Sequence, residues 1–146
     1  MKTDFFVVRH SASGSVNFIA QNTNASVINA GDGANEHPTQ ALLDIFTIMQ
    51  HREILNKIGA DLSGLNISII GDIDHSRVAR SDIWAMQKLG ANLTLFGPPQ
   101  MMPRRADAFN CKIAQNIENI APKQPKPCVK NLNIKFTPIN AQTAQE

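Results

Sequence analysis

The stretch NISIIGDIDHSRVARS, Asn66 to Ser81, carries the reading on which the fold turns. The apolar run NISII ends at Gly71. After a short polar turn the spacing becomes helical, with Ala79, Ile83, Met86 and Leu89 on one face and Gly90 just past the end. A strand that feeds a helix through such a turn is the unit of nucleotide-type α/β folds. Neither GxGxxG nor GxxxxGK[ST] is present, so dinucleotide and P-loop chemistry lose their main support. Arg77 and Arg80 instead stand in the first helical turn, where cations oppose the helix dipole unless an anion is bound there. The competing reading is that Asp72, Asp74 and Asp82 neutralise both arginines as surface pairs.

Outward from this stretch the same alternation continues. DFFVV (Asp4 to Val8) and ASVINAG (Ala25 to Gly31) read as buried strands, with a helix near Asn17 to Gln21 between them, and NLTLFG (Asn92 to Gly97) reads as another strand. Between the loop GDGANEHP and the turn at Asp61 to Asn66, Leu42, Ile45, Phe46, Met49 and Ile54 recur at the spacing of a helix packed on one side. Pro38 sits in its first turn, where the lost N–H had no partner. Further helices are expected over Arg104 to Phe109 and Gln115 to Ile120. Strands apolar on both faces and alternating with helices predict an α/β fold with parallel sheets flanked by helices.

Ligands of such sheets sit beyond the carboxyl ends of the strands, here Arg9 to Ser13, Gly31 to Gln40 and Asp72 to Arg80. In His37-Pro38-Thr39-Gln40, the His37 and Gln40 side chains project near a helix end whose free N–H groups suit a carbonyl oxygen, phosphate or carboxylate. Alternatively His37 caps the helix and Gln40 is solvated. The sets Asp72/Asp74/His75 and Asp32/Glu36/His37 lack zinc or EF-hand spacing, so no metal site is expected. No GxSxG elbow supports a serine nucleophile. Trp84 and Phe46, within helices, suit a core or an interface.

The chain has 146 residues, 42% hydrophobic and 18% charged. That length buries roughly 70% of the unfolded surface without disulfide or metal staples. The net charge of +2 divides unevenly. Through Pro122 there are ten Lys/Arg against eleven Asp/Glu, and from Lys123 four Lys against Glu146. All eight glycines lie at or before Gly97, and half the eight prolines from Pro122 on. This basic end, with Asn131 to Phe136 its one alternating run, reads as exposed or poorly folded and is unsuited to specific nucleic-acid binding. Cys111 and Cys128 form no CxxC pair and read as reduced thiols of a cytoplasmic protein. No membrane-spanning run or signal peptide is recognised.

Taken together, VVRHSASG (Val7 to Gly14), SVINAGDGANEHPTQALLDIFTI (Ser26 to Ile48), GLNISIIGDIDHSRVARS (Gly64 to Ser81) and LGANLTLFGPP (Leu89 to Pro99) resemble the catalytic chain of aspartate carbamoyltransferases, over roughly Phe5 to Ile120. Thr39 within HPTQ and the arginine Arg77 favour the aspartate enzymes over their ornithine-specific sisters. The resemblance implies transfer of a carbamoyl group from carbamoyl phosphate to L-aspartate in pyrimidine biosynthesis, with no metal or organic cofactor. It also implies parts of two Rossmann-like α/β domains joined by a helix: the end of a carbamoyl-phosphate domain over 1–37, an interdomain helix over 38–58, the start of an aspartate domain over 59–121, and a non-family tail over 122–146.

By the same resemblance Arg9 and His37 bind carbamoyl phosphate and polarise its carbonyl, Gln40 holds its amide, and Arg77 grips an aspartate carboxylate. A homotrimer and regulatory chains are the partners the family allows; nucleic acid and membrane are not expected. The family's serine-threonine-arginine phosphate motif, its loop lysine, its later aspartate-binding arginine and its HPLPR-type segment are not found. The expectation is therefore an incomplete chain with little or no transferase activity alone, or a noncatalytic anion-binding module of the same descent.

Overall fold

The computed structural model describes residues 3–120. The expectations for 122–146, including Cys128 and Asn131 to Phe136, lie outside them. Two parallel sheets form. In the first, β1 (Phe5–His10) pairs with β2 (Ser26–Asp32), Phe5 beside Ser26 and His10 beside Asp32, with a register shift between Val8 and His10. The crossover is α1 (Ser15–Gln21). In the second, β3 (Asn66–Ile70), β4 (Asn92–Phe96) and β5 (Lys112–Ile113) lie in that order, with Asn66 beside Asn92 and Leu95 beside Ile113. The parallel α/β reading is met.

Two longer helices link and cover the sheets. α2 (Pro38–His51) begins with Pro38 where its missing N–H costs nothing and packs on both β2 and α3 (Arg77–Lys88). The N-cap of α3 is Ser76, whose hydroxyl accepts from the Ala79 N–H at 3.1 Å. Ala79, Ile83 and Met86 of α3 are buried with Ile45, Leu62, Ile73, Leu93 and Leu95 in one core over the second sheet, and Leu89 packs against it. The apolar face read for α3 is the one it buries.

Elsewhere the structure corrects the expectations. β1 was expected to be buried, but Phe5 and Val7 are 66% and 70% exposed: among the described elements α1 is the one helix that packs closely on β1, while α2 packs on β2. α2 ends at His51 rather than continuing toward 58, and Glu53 follows at φ 57. Its buried stripe is Ala41 and Ile45, with Ile48 and Met49 partly packed, while Leu42 and Phe46 are exposed. Trp84 is likewise 56% exposed and not core. The expected helices near Arg104 and Gln115 are single 3₁₀ turns, Ala106–Phe109 and Ile117–Asn119, and β5 lies between them.

Candidate functional site

Three of the four sequence-derived residues meet around Gly31. Arg9 leaves the end of β1 and donates through Nη1 to the Ala30 carbonyl at 3.3 Å and to Nε2 of His37 at 3.4 Å. His37 is the N-cap residue of α2, but its side chain makes no cap bond. Its own N–H donates instead to the Ser81 hydroxyl on α3 at 2.8 Å. Arg77, the first residue of α3, reaches across and donates through Nη1 to the Gly33 carbonyl at 2.9 Å. Gly31, at φ 116, makes this approach possible. A Cβ there would sit 3.3 Å from Arg77 Nε and 3.4 Å from His37 Cδ2.

The loop under these residues is fixed by Asp32, which is 1% exposed. Its carboxylate accepts from the Gly14 N–H at 2.8 Å, the Asn29 amide at 3.0 Å, the Asn35 amide at 3.1 Å and the Glu36 N–H at 3.2 Å. Burial pushes the Asp32 carboxyl up, but these bonds outweigh it and hold the group below its usual range. Asp32 is thus a fully bonded brace rather than a ligand group.

The electrostatics favour an anion. Among the described residues the recorded ion pairs are His75 with Asp72 at 3.0 Å and with Asp74 at 3.9 Å. Neither carboxylate neutralises Arg77 or Arg80, and Asp82 is buried beside Asp44 with no arginine partner among the described residues, so the surface-pair reading fails. Burial first, then the positive charges of Arg9 and Arg77, push His37 below its ordinary value against the pull of Asp44. His37 is therefore a neutral imidazole at pH 7. Because a guanidinium only donates, Nε2 accepts from Arg9 and the proton sits on Nδ1, 3.2 Å from the Thr39 hydroxyl.

Gln40 stands one turn along α2. It is not simply solvated, since its amide nitrogen donates to Asp44 Oδ1 at 3.1 Å. The sequence reading missed Asp44 and Ser81. The signal for Asp44 was its i,i+4 spacing from Gln40; nothing local marks Ser81, which reaches His37 only through the α2–α3 packing. A cavity of about 400 Å³ lined by Pro38, Leu42, Ser81 and Trp84 adjoins the site but includes none of its charged residues. No cluster of three or more metal-ligating side chains occurs among the described residues, and none of their helices is long and apolar enough to cross a membrane.

The chain is similar to known proteins in sequence and in fold. The family described as aspartate/ornithine carbamoyltransferase, carbamoyl-P binding domain, matches residues 1–50, the segment holding Arg9, His37 and Gln40. The aspartate carbamoyltransferase catalytic subunit of Campylobacter concisus is 57% identical over 118 residues, 81% of this chain and 36% of that protein. The corresponding subunit of Desulforapulum autotrophicum is 43% identical over 134 residues, 92% of this chain. The chain spans little more than a third of the length of the curated relatives it matches.

Among solved structures, aspartate transcarbamoylase from Trypanosoma cruzi with aspartate and phosphate superposes with a TM-score of 0.61 at 27% identity, covering 77% of this chain and 37% of that one. The M. jannaschii catalytic subunit superposes at 0.60 with 30% identity, covering 82% and 39%.

Proposed function

From a chain that belongs, as a partial sequence, to the aspartate carbamoyltransferase family, we propose that Arg9, His37, Gln40 and Arg77 bind carbamoyl phosphate and L-aspartate for carbamoyl transfer. The observation that carries this reading is the meeting at Gly31 of a neutral histidine and two arginines that pair with no carboxylate among the described residues. In the reaction the aspartate amine attacks the carbamoyl carbon, the new C–N bond forms, and an oxyanion develops on the former carbonyl oxygen. The carbon–oxygen bond to phosphate then breaks, and the amine gives up a proton. No protein nucleophile is required; aligned donors and fixed charges lower the barrier.

Each residue has a distinct part. Arg9 and His37 flank the carbonyl oxygen. Its arrival displaces the Arg9–Nε2 contact, and His37 donates to it from Nε2 once the imidazole proton moves there from Nδ1. Gln40 accepts from the carbamoyl amide. Arg77 uses paired guanidinium donors on an aspartate carboxylate, the geometry a fork of N–H groups fits best. The two sheets then correspond to the carbamoyl-phosphate and aspartate sides, with α2 between them. The relatives are named catalytic subunits, and association with further copies or other chains belongs to this same proposal.

Calorimetric titration of the 146-residue chain with carbamoyl phosphate, alone and followed by L-aspartate, tests the reading. Binding that is lost in Arg9→Ala supports it, and no heat in either titration overturns it. A parallel assay for carbamoyl-aspartate separates a transferase from an anion-binding module, which would bind without turnover.

A further inference from the structure

One cluster at the α2–α3 contact is unused by the chemistry above. Asp82 of α3 is 8% exposed, and its Oδ1 has no hydrogen-bonding partner among the described residues. It lies within hydrogen-bonding reach of Asp44 on α2, and Asp44 in turn accepts from the amide nitrogen of Gln40 at 3.1 Å. The line Gln40, Asp44, Asp82 therefore runs from the proposed ligand pocket into the helix interface. Two carboxyl groups within hydrogen-bonding reach, one buried and one half-buried, cannot both be ionised cheaply.

We propose that Asp44, braced by the buried Asp82, is a positioning residue that turns the Gln40 carboxamide so that its oxygen, not its nitrogen, faces the carbamoyl group. An ionised carboxylate only accepts, so the Gln40 end bonded to it must be the NH₂, and Oε1 is left for the ligand. Without Asp44 the amide is free to flip and offers the wrong end part of the time. The proposal rests on the carbamoyl-phosphate reading of the site.

The brace depends on one proton. Burial, then the charge of Asp44 and the bond to it, push the Asp82 carboxyl up to about 7. The elements packed most closely on α3 are α2 and β4, and the loop before α2, with Glu36 and His37, meets it at Ser81. β4 carries no titratable side chain, and α2 carries Asp44 and, at its far end, His51; on α3 itself Arg77, Arg80 and Lys88 are the other charged groups. Loss of the Asp82 proton sets two negative charges against each other and loosens Asp44 from Gln40.

The test joins side-chain NMR to ligand titration on the 146-residue chain between pH 6.5 and 8.5. The Gln40 NH₂ resonances, assigned by their loss in Gln40→Met, should titrate with a midpoint near 7. Asp82→Asn should abolish that midpoint and the accompanying fall in carbamoyl-phosphate affinity with pH. Asp44→Asn, which keeps an accepting oxygen, should hold the Gln40 position and move the midpoint to lower pH. Asp44→Ala should send the Gln40 pair to the shifts of a freely rotating amide and weaken carbamoyl phosphate on the order of tenfold.

Gln40 resonances indifferent to pH and to Asp44→Asn overturn the proposal, as does full affinity in Asp44→Ala. If the alanine variant does not fold, the asparagine pair decides alone. Wild-type chain that fails to bind carbamoyl phosphate while Gln40 still titrates overturns the function proposed above, and with it the ligand-facing part of this role.

Discussion

At the scale of single residues, the site is defined by what its charges lack. Arg9 and Arg77 both act on His37, and among the described residues neither pairs with a carboxylate, so removing either cation should let the imidazole regain protons. The expected result is a histidine NMR titration whose midpoint lies below 6.5 in the wild type and rises in Arg9→Ala and in Arg77→Ala. Arg77→Ala should also weaken aspartate binding by about 10- to 100-fold, the worth of a charged hydrogen-bond pair, as read by calorimetry.

Asp82 sets a pH dependence of opposite origin. Its folded value is raised from 3.8 to about 7, so the folded chain holds this proton more tightly than the unfolded one. The resulting stability is complete below about pH 4 and fades as pH rises through 7. Asp82→Asn should flatten this decline, raising the melting temperature at pH 8 on the order of 5 °C while leaving it close to wild type at pH 4.

Among elements, α3 was the most legible in sequence, because its apolar period and its end agreed, although Arg77 and Arg80 in its first turn oppose the helix dipole. The sequence shows a helical apolar face over Ala79 to Leu89 and a glycine past the end at Gly90; the Ser76 hydroxyl cap emerged only in the structure. Ser76→Ala should cost about 1 kcal/mol in urea unfolding through loss of the bond to the Ala79 N–H. α2 was legible in its start but not in its face. Apolar residues lie on two sides of it, and periodicity alone does not say which side the second sheet takes.

The candidate site divides in the same way. Arg9, His37 and Arg77 could be placed because they follow strand ends or open helices. Asp44 and Ser81 act through a helix–helix contact, and that contact is set by packing between segments far apart in sequence. β5 was missed because its two paired residues are too short to show any period.

For the molecule as a whole, the sequence told which strands are fit for burial without telling whether anything buries them. Phe5, Val7, Phe18 and Ile28 of the first sheet layer, and Leu42, Leu43, Phe46 and Trp84 along α2 and α3, remain exposed. Apolar side chains exposed in such number favour contact with other surfaces. Phe5→Thr combined with Val7→Thr should lower the binding of a hydrophobic dye and reduce self-association in analytical ultracentrifugation. An unchanged sedimentation profile would mean that the first sheet does not drive association.

The bond from Arg77 to the Gly33 carbonyl gives this architecture an economy of its own. It is one of the threads that sew the α3 half to the loop of the other half, and it starts from the cation that an anion would seek. A guanidinium has five N–H groups, and this tie occupies one of them. Among the described residues nothing bonds the remaining donors, so arrival of a carboxylate need not unfasten the two halves. Stitching and reception are done by one side chain at the same time.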